Sequence, residues 1–210
     1  MQDSTKTDGR RHRGRPRRIS PDAALDGALD AFWTSGYNGT TLDDLSAATG
    51  MNRPSLYATF GDKRHLYLHA LGRFGQMMEA AVKSALDEAP TMREALTRFY
   101  GGALGVYLSG STEARGCFVV CTATVEAPQE PEIRQALQRV LAVVDELLAA
   151  RFRQAVDAGE LPADTDVDIL GALAAATLHS LAVRARAGTP RAALEALVTA
   201  SIDRLLHAVR

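Results

Sequence analysis

Apolar positions recur every third or fourth residue along most of the chain, and turn residues cut that pattern into helices. Ser20-Pro21-Asp22 supplies a cap, a first-turn proline and an acid at the positive end of a helix dipole. Leu25, Ala28, Leu29 and Phe32 then share one face until Gly36. Thr41, with Asp44 three residues on, opens a short helix carrying Leu42, Leu45 and Ala48 or Thr49, and Gly50 stops it. Asn52 and Pro54 start a second short helix whose apolar face is Leu56 and Phe60. Gly61 and Asp62 end it and cap a third, which continues through Glu79, Val82 and Leu86 to a break at Ala89-Pro90.

The second half follows the same logic. Thr91-Met92-Arg93-Glu94 is a capping-box signature ahead of Leu96, Phe99, Tyr100, Leu104 and Tyr107, and Gly110-Ser111-Thr112 reads as a loop. Residues 116–126, GCFVVCTATVE, suit a buried strand when taken alone, but no second strand exists to pair with them. They are therefore predicted to form a buried helix, ended by Pro128 and Pro131. The strongest periodicity runs over 132–158, through Ile133, Leu137, Val140, Leu141, Val144, Leu147, Leu148, Phe152 and Val156. Asp166 caps a helix over 167–187 rich in small residues, which permit close helix approach. Thr189-Pro190 opens the last, with Leu194, Leu197, Val198, Ile202, Leu205 and Leu206 on one side. The sequence predicts an all-α chain of about nine helices, with no internal repeat and no membrane-length apolar run.

Residues 40–66 organise the rest. A helix as short as the one holding Leu56 and Phe60 cannot stand alone, so its neighbours must pin it, leaving its other face free. Turning Leu56 and Phe60 inward puts Pro54, Ser55 and Ala58 outward, flanked by Tyr57 and Thr59. That small, polar face suits close approach to a groove, as in a helix-turn-helix whose second helix enters the DNA major groove.

Phe32-Trp33, Gly36-Tyr37, Thr40 to Leu45, Pro54-Ser55-Leu56-Tyr57 and Phe60-Gly61-Asp62-Lys63 together resemble the TetR family of bacterial transcriptional repressors. The resemblance covers roughly the first third of the chain. It implies a three-helix helix-turn-helix DNA-binding domain over 19–78 and an effector-binding and dimerisation domain over 79–210. It further implies that Thr41, Tyr57 and Lys63, with Ser55, meet phosphates. Pro54, Ala58 and Thr59 would face bases, and Arg53 is the candidate for bidentate contact to guanine. Position 42 is Leu, where some relatives place a basic base-reading residue. The implied partners are operator DNA, a second copy of the chain through the last two helices, and a small-molecule effector among the middle helices. Phe99, Tyr107, Phe118, Cys121, Thr122 and His179 are the expected lining of that effector site, which their character suits to a small, mostly apolar molecule.

Composition changes this picture little. A 210-residue chain with 46% hydrophobic and 23% charged residues is an ordinary globular protein with enough length for a real core. The net charge of −1 says nothing about DNA, but its distribution does: residues 10–18, RRHRGRPRR, hold six arginines. That arm, 1–18, cannot bury a core and is expected to be disordered. Arg13-Gly14-Arg15-Pro16 resembles an AT-hook core, and Arg13, Arg15 and Arg17 would either enter a narrow minor groove or serve as a basic tail on phosphates.

Two cysteines and a polar N-terminus point to a reducing cytoplasm, without a membrane anchor. Cys117 and Cys121, four apart, offer an alternative in which an oxidant or electrophile is the signal. A second alternative is an architectural protein coating A·T-rich DNA. His65 and His69 also lie four apart, but no further ligand is in register, so no metal and no cofactor is expected. No nucleophile elbow or phosphate loop supports an enzyme.

Overall fold

The computed structural model describes residues 19–110 and 113–207. The arginine arm, and with it the expectations for Arg13, Arg15 and Arg17, lies outside them. The described residues are all helical in their regular structure, with nine α-helices and no strand.

The head consists of α1 (Pro21–Gly39), α2 (Leu42–Thr49) and α3 (Arg53–Phe60). Ser20 caps α1 through Ala23 N–H, and Gly36, at φ +73°, breaks the helix before a last turn to Gly39. The expected stop at Gly36 is thus a kink followed by one more turn. Helix α4 (Lys63–Asp87), capped by Asp62, runs unbroken from the head into the body. Its Tyr67 and Phe74 join Phe32 and Trp33 of α1 in edge-on aromatic contacts, with ring centroids 5.0 and 5.1 Å apart.

The body contains α5 (Met92–Tyr107), α6 (Thr124–Glu126), α7 (Pro131–Asp157), α8 (Val167–Arg186) and α9 (Arg191–His207). The predicted buried helix over 116–126 forms only from Phe118, and Val119–Ala123 is a π-turn leading into α6. Two threonine hydroxyls bond back onto the carbonyls of this turn. Thr122 Oγ1 donates to the Phe118 carbonyl at 2.7 Å and Thr124 Oγ1 to that of Val120 at 2.7 Å, competing with backbone donors. Tyr67 Oη holds Thr122 Oγ1 at 2.6 Å from the α4 side.

Helices α7 and α8 approach closely where Gly171 faces Ala149: a β-carbon at Gly171 would lie 3.0 Å from Ala149 N. Helix α8 is long and apolar enough by composition to cross a membrane. Here Leu170, Ala174, Leu178, Leu181 and Ala185 instead bury one side of it in the bundle.

Candidate nucleic-acid interface and inner cavity

Local chemistry builds the surface around α3. The Asn52 side chain accepts from Ser55 N–H at 2.9 Å, starting the helix, and Gly61 N–H closes it on Tyr57 O at 3.0 Å. With Leu56 and Phe60 buried, Arg53, Pro54, Ser55, Tyr57, Ala58 and Thr59 are all exposed, and Tyr57 keeps 48% of its surface open. Only Leu56 and Phe60 of α3 are covered, so the rest of the helix surface is open.

Beside it, Thr41 and Asp44 close a full capping box. Thr41 Oγ1 accepts from Asp44 N–H at 3.2 Å and donates to Asp44 Oδ2 at 2.7 Å, and Thr41 N–H also donates to that oxygen at 2.8 Å. The two Thr41 bonds hold the Asp44 carboxyl below its usual range. Since the Thr41 hydroxyl proton points to Asp44, the first N–H groups of α2 are what remain for a phosphate oxygen.

Lys63 is half-buried, its Nζ 4.6 Å from the centre of the Tyr37 ring, and burial lowers its pKa. Tyr37 itself packs against Phe32 and Tyr67. Arg53 is tied to the neighbouring helix, its Nη2 2.7 Å and its Nε 3.2 Å from Asp43 Oδ1.

Between the head and the body, α1, α4, α5 and α8 line an apolar pocket of about 270 Å³ that opens to the surface past Met77 and Val106. Phe99 and Tyr107 line it, as expected from the sequence. Phe118, Cys121, Thr122 and His179 do not. The Phe118 ring is spent in the aromatic cluster with Trp33, Tyr67 and Phe74, and the Thr122 hydroxyl in its bond to Tyr67. Cys121 sits beside Gly116 and Arg186. His179 is half-buried and feels Asp145, with burial lowering its pKa.

The rest of the wall is Trp33, Phe74, Met77, Met78, Ala81, Val82, Ala85, Arg98, Gly102, Ala103, Val106, Cys117 and Leu178. Its charged member, Arg98, donates to the Glu88 carbonyl at 3.0 Å. Trp33, directly after Phe32, is turned about 100° from it around α1, and its ring packs on Phe74 and Phe118.

Several contacts join the head to the body around this wall. The Arg115 guanidinium lies 4.7 Å from the Trp33 ring centre and pairs with Asp30 at 2.6 Å. Arg186 Nη1 donates to Trp33 O at 3.4 Å and Arg115 O at 3.0 Å. Asn38 Nδ2 donates to both Glu126 oxygens, at 2.9 and 3.0 Å.

The two cysteines are free. Burial pushes the Cys117 thiol up to about 11 and also raises that of Cys121, against the lowering influence of Arg186. Burial thus favours the neutral thiol at both positions, which does not favour the oxidant- or electrophile-sensing alternative. His65 Nδ1 lies 2.9 Å from Asp62 Oδ1, while His69 packs edge-on to Phe60.

Residues 24–70 match the family model described as bacterial regulatory proteins, tetR family, and residues 94–201 match the tetracyclin repressor-like C-terminal domain. Over 190 residues the chain is 32% identical to the HTH-type transcriptional repressor ComR of Escherichia coli K12, covering 90% of this chain and 89% of ComR. It is 29% identical over 193 residues to the HTH-type transcriptional regulator YezE of Bacillus subtilis 168, covering 91% and 93%. Among solved structures, the TetR family regulator CifR, as a cysteine mutant complexed with 26-bp double-strand operator DNA, is 33% identical. It superposes with a TM-score of 0.82 over 90% of this chain and 98% of CifR.

Proposed function

The chain belongs to the TetR family and is a DNA-binding transcriptional regulator rather than an enzyme; from that premise we propose that it is a homodimeric repressor released from a palindromic operator by a small, mostly apolar effector. The observation carrying the DNA half of this reading is the uncovered face of α3, where Pro54, Ser55, Tyr57, Ala58 and Thr59 lie open beside the α2 N-terminus. On DNA, the first N–H groups of α2, which Thr41 caps, contact phosphates together with Ser55, Tyr57 and Lys63; Pro54, Ala58 and Thr59 lie against bases, and Arg53 reads guanine.

The cavity supports the effector half. Apart from Arg98, whose Nη1 donates to the Glu88 backbone carbonyl, its walls are apolar, which suits a mostly apolar molecule. Trp33 and Phe74 are at once cavity wall and part of the packing between α1 and α4, so a ligand that displaces them acts on the head directly. A conformer that suits the ligand but misplaces the two heads loses operator affinity by population shift.

Selection from a randomised duplex library with the full chain tests the reading. The expected product is a short two-fold-symmetric site. Neutral apolar compounds should then weaken binding to it and change the fluorescence of Trp33, the chain's single tryptophan. Broad coverage of A·T-rich DNA without a symmetric site would favour an architectural role and overturn the proposal.

A further inference from the structure

The structure places a carboxylate where a DNA-binding surface should avoid one. Asp43 stands in the first turn of α2 and Arg53 in the first turn of α3, ten residues apart, and the tight turn between the helices brings them together. Both arginine nitrogens, Nη2 at 2.7 Å and Nε at 3.2 Å, meet the same oxygen, Oδ1. Asp43 Oδ2 receives no hydrogen bond from any described residue. The Asp43 and Arg53 side chains are 77% and 53% exposed, at the flank of α3 next to its uncovered residues.

Stability does not explain this arrangement. An exposed ion pair contributes about 0–1 kcal/mol and is screened by salt. Acid at the positive end of the α2 dipole is already provided by Asp44, whose capping box ties it to Thr41. Against phosphates, moreover, a second negative charge costs binding to every duplex equally. Such a residue earns its place only by what it selects.

The pair offers that selection. With Nε and one Nη2 proton committed to Oδ1, the remaining guanidinium protons form an oriented donor edge, matched to the N7 and O6 acceptors of guanine. Beside it, Oδ2 is an acceptor, matched to the amino group of cytosine or adenine and repelled by thymine O4 or guanine O6. Tethering also keeps Arg53 from swinging to the nearest phosphate, where it would bind any sequence.

We propose that Asp43 is a specificity-determining residue: with Arg53 it forms a donor–acceptor unit that reads guanine beside an amino-bearing base, and its charge suppresses binding to unmatched DNA. The inference rests on the reading that α3 faces DNA, and adds to it a residue that would otherwise count only as helix surface.

The test repeats library selection with the full-length wild type and with Asp43→Ala, Asp43→Asn and Arg53→Ala, and measures affinity for a scrambled duplex by fluorescence anisotropy. Asp43→Ala should keep the symmetric site but lose base preference at one position per half-site, and should bind scrambled duplex about fivefold tighter, the effect of removing one nearby like charge. Asp43→Asn should shift that position toward adenine, since an amide pairs with N6 and N7. Arg53→Ala should lose the adjacent guanine. Unchanged preference at every position in Asp43→Ala, or uniformly weaker binding to all duplexes with a lowered melting temperature, would overturn the inference and leave the operator-binding reading standing. A wild-type chain that selects no sequence would overturn both.

Discussion

At the scale of single residues, environment decides chemistry more than identity does. Cys117 is a thiol, and thiols react as thiolates, but it lies 4% exposed against Tyr107 in an apolar wall. Burial favours its neutral form and pushes it up to about 11 from an ordinary value of 9.0. The folded state therefore binds this proton more tightly than the unfolded state. Its contribution to stability is complete below pH 9 and is lost as pH rises through 11. In a Cys121→Ser variant, iodoacetamide at neutral pH should modify Cys117 only at the rate of local opening, far slower than in denatured protein. Labelling at the rate of a free thiol would show that the cavity wall is not closed there. The same residue-scale rule explains Lys63: over Tyr37 and partly desolvated, its cation remains beside the interface instead of extending freely into solvent.

At the scale of elements, α3 shows why a helix of eight residues depends on its ends. Nucleation is costly, so the cap at Asn52 and the packing of Leu56 and Phe60 must supply what length cannot. Asn52→Ala should cost about 1 kcal/mol, and Asn52→Ser much less, because serine retains a capping oxygen. Hydrogen exchange should show faster exchange of the α3 amides in the alanine variant, with α7 and α8 unchanged and operator affinity falling in step. Unaltered exchange in α3 would mean that the cap does not hold it. These end devices are also why so much of the head was legible in the sequence. Thr41 with Asp44, Asn52 with Ser55, and Asp62 with His65 each act within three residues, so spacing alone reveals them. The π-turn at Val119–Ala123 was not legible, because its Thr122 is anchored by Tyr67, 55 positions away. The cavity was half legible for the same reason. Phe99 and Tyr107 follow from the period of α5, whereas the Trp33 and Phe74 walls exist only once α1 and α4 are laid against the body.

At the scale of the whole molecule, the unfinished surface is the outer side of α8. Ile169, Leu173 and Val183 are 57%, 52% and 55% exposed, and with Ala176 and Ser180 they recur at intervals of four, three, four and three. Such a stripe suits a helix with a partner along its length. Alongside, α9 presents Ala192, Ala196, Thr199 and Ala200, small enough for close contact. In the dimer proposed above, these two faces meet their own copies about a two-fold axis, so a change at one residue is made twice within a single interface. Leu173→Glu places two like charges in that apolar seam while removing nothing from the core of the protomer. Sedimentation should therefore show a monomer with a nearly unchanged melting curve, since exposed substitutions away from the core usually shift stability by less than about 0.5 kcal/mol. Each head would then hold its half-site alone, and operator affinity should fall about a hundredfold or more as the effective concentration of the second head is lost. Affinity for an isolated half-site should not change. A Leu173→Glu chain that remains dimeric would place the interface elsewhere on the body; one that is monomeric yet binds the full operator as tightly as wild type would show that the two heads do not act together.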